Sequence, residues 1–158
     1  MHLIDKKTGN KLKAVIEKVS SDDLKKIKKE RNFGFDWNLE EENQLLKLKL
    51  FETSEIIGLV SLIDYPEELR VHINLIESSK IHRGKEKQIL NIPHCLIAFT
   101  CKIASRKNYG GFVSLKPKTR LIDYYANTYG FLHFGNEMAV FGETSEALIQ
   151  KYIGDEEI

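Results

Sequence analysis

The stretch RVHINLIESSKIHRGKEKQILNIPHCLIAFTCKIASRKNYGGFVSL, Arg70 to Leu115, decides the fold. Arg70 to Ser78 reads as a β-strand, and Ser79 to Leu90 is polar, basic and loop-like. Asn91 is suited to cap a helix, and Pro93 is tolerated in the first helical turn, where an N–H lacks an intrahelical partner anyway. From Ile92 to Lys107 the chain is apolar on nearly every side, through Cys95, Leu96, Ile97, Ala98, Phe99, Cys101, Ile103 and Ala104. A helix this apolar packs centrally against a sheet. Lys102, Arg106 and Lys107 complement the negative end of its dipole. Gly110-Gly111 stops it, and Phe112 to Leu115 is a short buried strand. Strand, crossover helix and strand together predict a βαβ unit whose two strands lie side by side and parallel.

Working outward, Glu55 to Ile63 is a strand in which Gly58 marks a close backbone approach. Asn43 to Glu52 alternates, with Leu46, Leu48 and Leu50 facing one way and Lys47 and Lys49 the other, as in a half-buried strand. With Arg70–Ser78 these form an antiparallel meander, joined by the turn Tyr65-Pro66-Glu67-Glu68. Lys11 to Ser20, carrying Val15, Ile16 and Val19, is a first strand. Ser20-Ser21-Asp22-Asp23 supplies helix-capping chemistry, and Leu24 and Ile27 mark one apolar face of a short helix. The lysines at 25, 26, 28 and 29 then read as a solvated surface, followed by an aromatic loop, Phe33-Gly34-Phe35-Asp36-Trp37. Downstream, Thr119 to Tyr129 is a helix stopped by Gly130, Leu132 to Phe141 a strand, and Ser145 the cap of a last helix, Glu146 to Ile153.

Composition sets the bounds. At 158 residues the chain fits one domain, residues 1–158. A net charge of +1 gives no field to draw in nucleic acid or a membrane surface, so neither is an expected partner. The start, Met1 to Lys7, has no apolar run of a signal peptide, and Ile56–Ile63 is too short to span a bilayer. Cys95 and Cys101 share one helix, about 9 Å apart along its axis, too far for a disulfide. Unpaired cysteines suit a reducing compartment, which points to the cytoplasm. No histidine stands at a ligand spacing from either thiol, and no metal is expected.

The element order resembles the GNAT superfamily of acyl-CoA N-acyltransferases. Two passages carry it: Ile73-Asn74-Leu75-Ile76-Glu77 followed by His82-Arg83-Gly84-Lys85 and the apolar helix, and Leu121-Ile122-Asp123-Tyr124-Tyr125-Ala126-Asn127-Thr128-Tyr129-Gly130-Phe131. The resemblance implies an α/β (α+β) fold: a mixed, mostly antiparallel sheet, flanked by helices, with a splayed central pair of parallel strands. It implies acetyl-CoA as acyl donor and a primary amine, on a small molecule or a protein, as acceptor. The pantetheine arm would pair with Leu75, Ile76 and Ser78 in the gap between the strands, whose free N–H groups would polarise the thioester oxygen. The pyrophosphate would lie at the helix N-terminus. The family's phosphate loop, Arg/Gln-x-x-Gly-x-Gly/Ala, is matched at Arg83, whereas Glu86 and Gln88 replace its small residues. Arg83, Gly84, Lys85 and Lys87 form the expected phosphate loop; a second register puts the turn at Asn91-Ile92. Lys118 stands where relatives often carry Asn, a place that implies contact with CoA or with the acceptor.

Acetyl transfer needs a proton removed from the ammonium and one given to the departing thiolate. Tyr125, five residues ahead of Gly130, is the expected acid, and Glu77, ending the splayed strand, the expected base. The glycine-poor loop keeps a second reading open, a catalytically weak or inactive module that binds CoA or a protein partner. Oligomeric state stays open as well, a homodimer included.

Overall fold

A computed structural model describes residues 1–155. In chain order its elements are β1 (Ile4–Asp5), β2 (Ala14–Lys18), α1 (Ser21–Glu30), β3 (Gln44–Leu50), β4 (Ile56–Tyr65), β5 (Arg70–Ser78), β6 (Ile89–Leu90), α2 (Ile92–Arg106), β7 (Val113–Leu115), α3 (Ile122–Tyr129), β8 (Leu132–Phe134), β9 (Glu137–Val140) and α4 (Gly142–Tyr152). Seven strands form one sheet in the order β2-β3-β4-β5-β7-β9-β8. Within it β5 and β7 run parallel and the remaining neighbours antiparallel, as the meander and the crossover require.

Local chemistry explains the starts and stops. Ser20 Oγ accepts from the Asp23 amide at 3.1 Å while Asp23 Oδ2 accepts from the Ser20 amide at 2.9 Å, a reciprocal capping box that starts α1. α2 and α4 cover one face of the sheet. Leu46, Leu48, Val60, Ile73, Leu96, Ile97 and Ile149 meet there in the larger core. The opposite face holds a second cluster, Ile27, Phe33, Trp37, Leu45 and Leu59, under α1 and the aromatic loop. At Gly58 a β-carbon would stand 2.8 Å from Ile92 Cγ2 and 3.0 Å from Leu96 Cδ1, so only glycine lets α2 sit this close to β4.

An irregularity in β5 sets which side chains reach each face of the sheet. Leu62 pairs with Ile73 but Ser61 pairs with Leu75, so Asn74 is an extra residue bulged out of β5. Val71 and Ile73 point to α2 before the bulge; after it Ile76 and Ser78 do, and Leu75 and Glu77 face the aromatic loop.

Several expectations are corrected. Leu132 to Phe141 is not one strand but a hairpin, β8 and β9, turning at Gly135, whose φ is +62°. Ser145 does not cap α4, which starts at Gly142; it lies buried inside that helix and its hydroxyl donates to the Gly111 carbonyl at 2.7 Å. The lysine face of β3 is not solvated: Lys47 is buried beneath α1, paired with Asp23 at 2.6 Å and Glu17 at 3.3 Å. The loop at Ser79–Leu90 contains β6, which pairs with β1. Among the described residues no helix is long and apolar enough to cross a membrane.

Candidate active site

The register of β5 and β7 is short: Val71 with Val113, His72 with Ser114, Ile73 with Leu115. Beyond Ile73 the two part. β5 runs on to Ser78, whereas the chain after Leu115 leaves the sheet through Lys116-Pro117-Lys118 and turns into α3. Along Leu75–Ser78, then, β5 is bonded to β4 on one edge and, among the described residues, has no strand on the other. The gap opens into a cleft of about 320 Å³ whose wall includes Phe35, Asn74, Arg83, Lys116, Lys118 and Tyr125. A narrower cavity of about 170 Å³ adjoins it on the α2 side, lined among others by Ser78, Pro93, Ile97 and Tyr124; Ile76 and Tyr125 belong to both.

Tyr125 therefore stands where the two spaces meet. Its ring lies edge-on to Phe131 at 5.7 Å and to Tyr124 at 5.6 Å, which fixes it in place. Burial, and secondarily the neighbouring Tyr124, raise its pKa above that of an ordinary phenol. A phenol so placed stays protonated and can donate. Tyr124, the neighbour most easily confused with it, is largely exposed.

Glu77 is brought to the same strand end, but facing the aromatic loop. Its side chain is 2% exposed. Oε2 accepts from the Gly34 amide at 2.5 Å and from Arg83 at 3.1 Å; Oε1 accepts from Trp37 Nε1 at 2.9 Å and from the Phe35 amide at 3.2 Å. Four donors occupy both oxygens. The Arg83 guanidinium turns back to Glu77 and lines the cleft. The contacts of the aromatic loop to Glu77 were not legible in the sequence, and Lys116 was missed. The signal for the bulge was there, since the β-branched residues that face the core shift from odd (Val71, Ile73) to even (Ile76) positions within one strand.

At the mouth of α2, Asn91 adopts a left-handed conformation (φ +76°) and makes no side-chain cap; its amide donates to the His2 carbonyl at 3.0 Å instead. That corrects its role as a capping side chain. The first turn is left with the N–H groups of Ile92 and His94, since Pro93 has none. Lys85, Lys87 and Gly84 (φ +76°) are exposed beside it. Lys87 is near enough that its charge, after burial, helps lower the pKa of His94 to about 4. Two N–H groups with no backbone acceptor among the described residues, and a lysine, fit a diphosphate, through fewer backbone contacts than a glycine-rich loop would offer.

Comparison with solved structures decides the fold. A spermidine N-acetyltransferase SpeG chimera from Vibrio cholerae and hSSAT superposes with a TM-score of 0.62 at 13% identity, covering 86% of this chain and 98% of that one. The fold is that of the GNAT acetyltransferases. AtaTR bound with AcCoA matches the same GNAT frame with a TM-score of 0.57 at 13% identity over 85% of this chain and 97% of its own. A bacterial toxin matches at 0.61 and 11% identity, over 94% and 99%. No protein-family model and no curated protein matches the sequence.

Proposed function

We propose that the protein is an acetyl-CoA-dependent N-acetyltransferase that moves an acetyl group to a primary amine by direct attack on the thioester. The observation that carries this reading is the parting of β5 and β7 beyond Ile73, with Tyr125 at the junction of the two spaces it opens. An AcCoA-bound protein of the same fold, AtaTR, supports the choice of donor. Acetyl-CoA supplies an activated acyl carbon and a thiolate leaving group. The free edge of Leu75 to Ser78 binds the pantetheine amides as an added strand would. An N–H on that edge stabilises negative charge on the thioester oxygen. Lys85 and Lys87, with the Ile92 and His94 amides, hold the diphosphate.

As the nitrogen–carbon bond forms and the carbon–sulfur bond breaks, Tyr125 gives its proton to the thiolate and is reprotonated from solvent, while the nitrogen, cationic once bonded to carbon, releases a proton to water to leave the neutral amide. Glu77 is assigned a positioning task in place of the proton acceptance expected from sequence, because its oxygens are saturated by four donors. Among the described residues, the wall of the wider cleft carries no Asp, Glu or His. The ammonium proton then leaves to water before attack. Rate should accordingly climb with pH toward the pKa of the acceptor amine, without an inflection from an enzyme carboxylate.

Tyr125→Phe is the test. Acetyl-CoA affinity by calorimetry stays within about twofold, and kcat for thiol release falls on the order of 10²-fold. Unchanged kcat removes the acid role; no acetyl-CoA binding by the parent protein removes the whole reading.

A further inference from the structure

The charge on the cleft wall points to the chemistry of the acceptor. Arg83, Lys116 and Lys118 line it, and among the described residues no carboxylate does. Glu77 offsets Arg83 through their 3.1 Å ion pair, but among the described residues no carboxylate pairs with Lys116 or Lys118. Glu40 reaches this region only by accepting from Asn74 at 2.6 Å. The excess positive charge continues next door. A second cavity of about 290 Å³ is lined by Lys28, Arg31 and Lys80 against one acid, Asp36, and it meets the cleft at Phe35. Phe35 is 46% exposed, an apolar ring standing between two cationic hollows. The arrangement is local, because the whole chain is nearly neutral at +1.

A multiply charged cation entering this cleft would meet like charge on its wall, at a cost with no compensating partner. An amine that carries its own anionic group would be drawn in and oriented: its anion at Lys116 and Lys118, its amino group free to face the thioester. We infer that the acceptor is a small amine bearing a phosphate or carboxylate on the same molecule, and that Lys116 and Lys118 select it. This rests on the acetyltransferase reading for the reaction, but the recognition of the anion is measurable without turnover.

The experiment has two arms. In the first, quenching of the single tryptophan, Trp37, reports binding of glucosamine 6-phosphate, phosphoethanolamine and glutamate against glucosamine, ethanolamine and spermidine. The anionic amines should bind at least about tenfold tighter than the three amines that carry no anion, and the preference should fade as salt rises. In the second, acetyl-CoA turnover is measured with the same panel for the parent and for Lys116→Glu with Lys118→Glu. The acceptor KM should rise about tenfold or more for anionic amines and fall for spermidine, with kcat and acetyl-CoA affinity retained. Tighter binding of the phosphate than of the carboxylate compounds, or the reverse, identifies which anion is read. Spermidine equalling or beating every anionic amine in either arm overturns the inference, and so does a double variant that loses acetyl-CoA affinity with its acceptor preference unchanged. If no amine is turned over, the reaction assignment falls, while the binding arm still decides whether the cleft selects anions.

Discussion

Replacing Glu77 by glutamine isolates what its carboxylate does. Glutamine keeps the shape but offers one acceptor oxygen, so two of the four donors lose their partner and meet an N–H₂ group instead. Hydrogen bonds to a charged group are worth about 1.5–3 kcal/mol each. Two lost bonds at a site with 2% exposure cost about 3–5 kcal/mol, at the lower end if Arg83 is one of the pair, because its half-exposed guanidinium is rehydrated. For a chain of this size that is a fall in Tm of roughly 6–20 °C. Differential scanning calorimetry measures the fall, and Trp37 emission should redden as Nε1 loses its acceptor. Acetyl transfer should weaken chiefly through the acceptor KM, because the aromatic loop and Arg83 lose their anchor. A Glu77→Gln protein that melts within about 2 °C of the parent, keeps its Trp37 spectrum and yet loses kcat by orders of magnitude would refute this account and restore the carboxylate as the proton acceptor.

Other predictions concern the scaffold. Gly58→Ala puts a β-carbon 2.8 Å from Ile92 Cγ2 and should cost about 1–3 kcal/mol in urea unfolding; an unchanged midpoint would mean α2 yields without penalty. His94, whose pKa is lowered from 6.5 to about 4 by burial and by Lys87 and Lys151, is neutral in the fold. The unfolded chain therefore takes up that proton first as pH falls, so stability present above pH 6.5 is lost progressively toward pH 4. His94→Phe should flatten the dependence of Tm on pH across that window, and parallel curves would contradict it. Burial pushes the thiols of Cys95 and Cys101 up to about 12, so neither should react with a disulfide reagent at neutral pH until the protein is unfolded; labelling of the native protein would show that the core opens.

Patterns internal to one element were legible in the sequence. The apolar run of α2, the glycine that lets it approach β4 and the capping box at Ser20–Asp23 all stand where local chemistry puts them. The crossover and the meander followed from those elements by chain topology alone. What was not legible depends on partners distant in sequence. Lys47 looks solvated in a lysine–leucine alternation until α1 supplies Asp23. Arg83 reads as one more cation of a basic loop until Glu77 pairs with it. Ser145 has good capping chemistry, yet the approach of Gly111 gives its hydroxyl a buried acceptor and lets α4 begin a turn earlier.

The supernumerary residue at Asn74 has a consequence for how this strand tolerates change. Side chains alternate by parity, so excising one residue there would exchange the two surfaces for everything downstream. Glu77 would be delivered into hydrocarbon beneath α2, far from Gly34, Phe35, Trp37 and Arg83, and Ile76 would be turned toward a set of donors it cannot satisfy. A single-codon deletion at this point should be more damaging than removal of several residues from the hairpin tip at 52–54. The strand keeps count, and the placement of Glu77 depends on its being out of step by one.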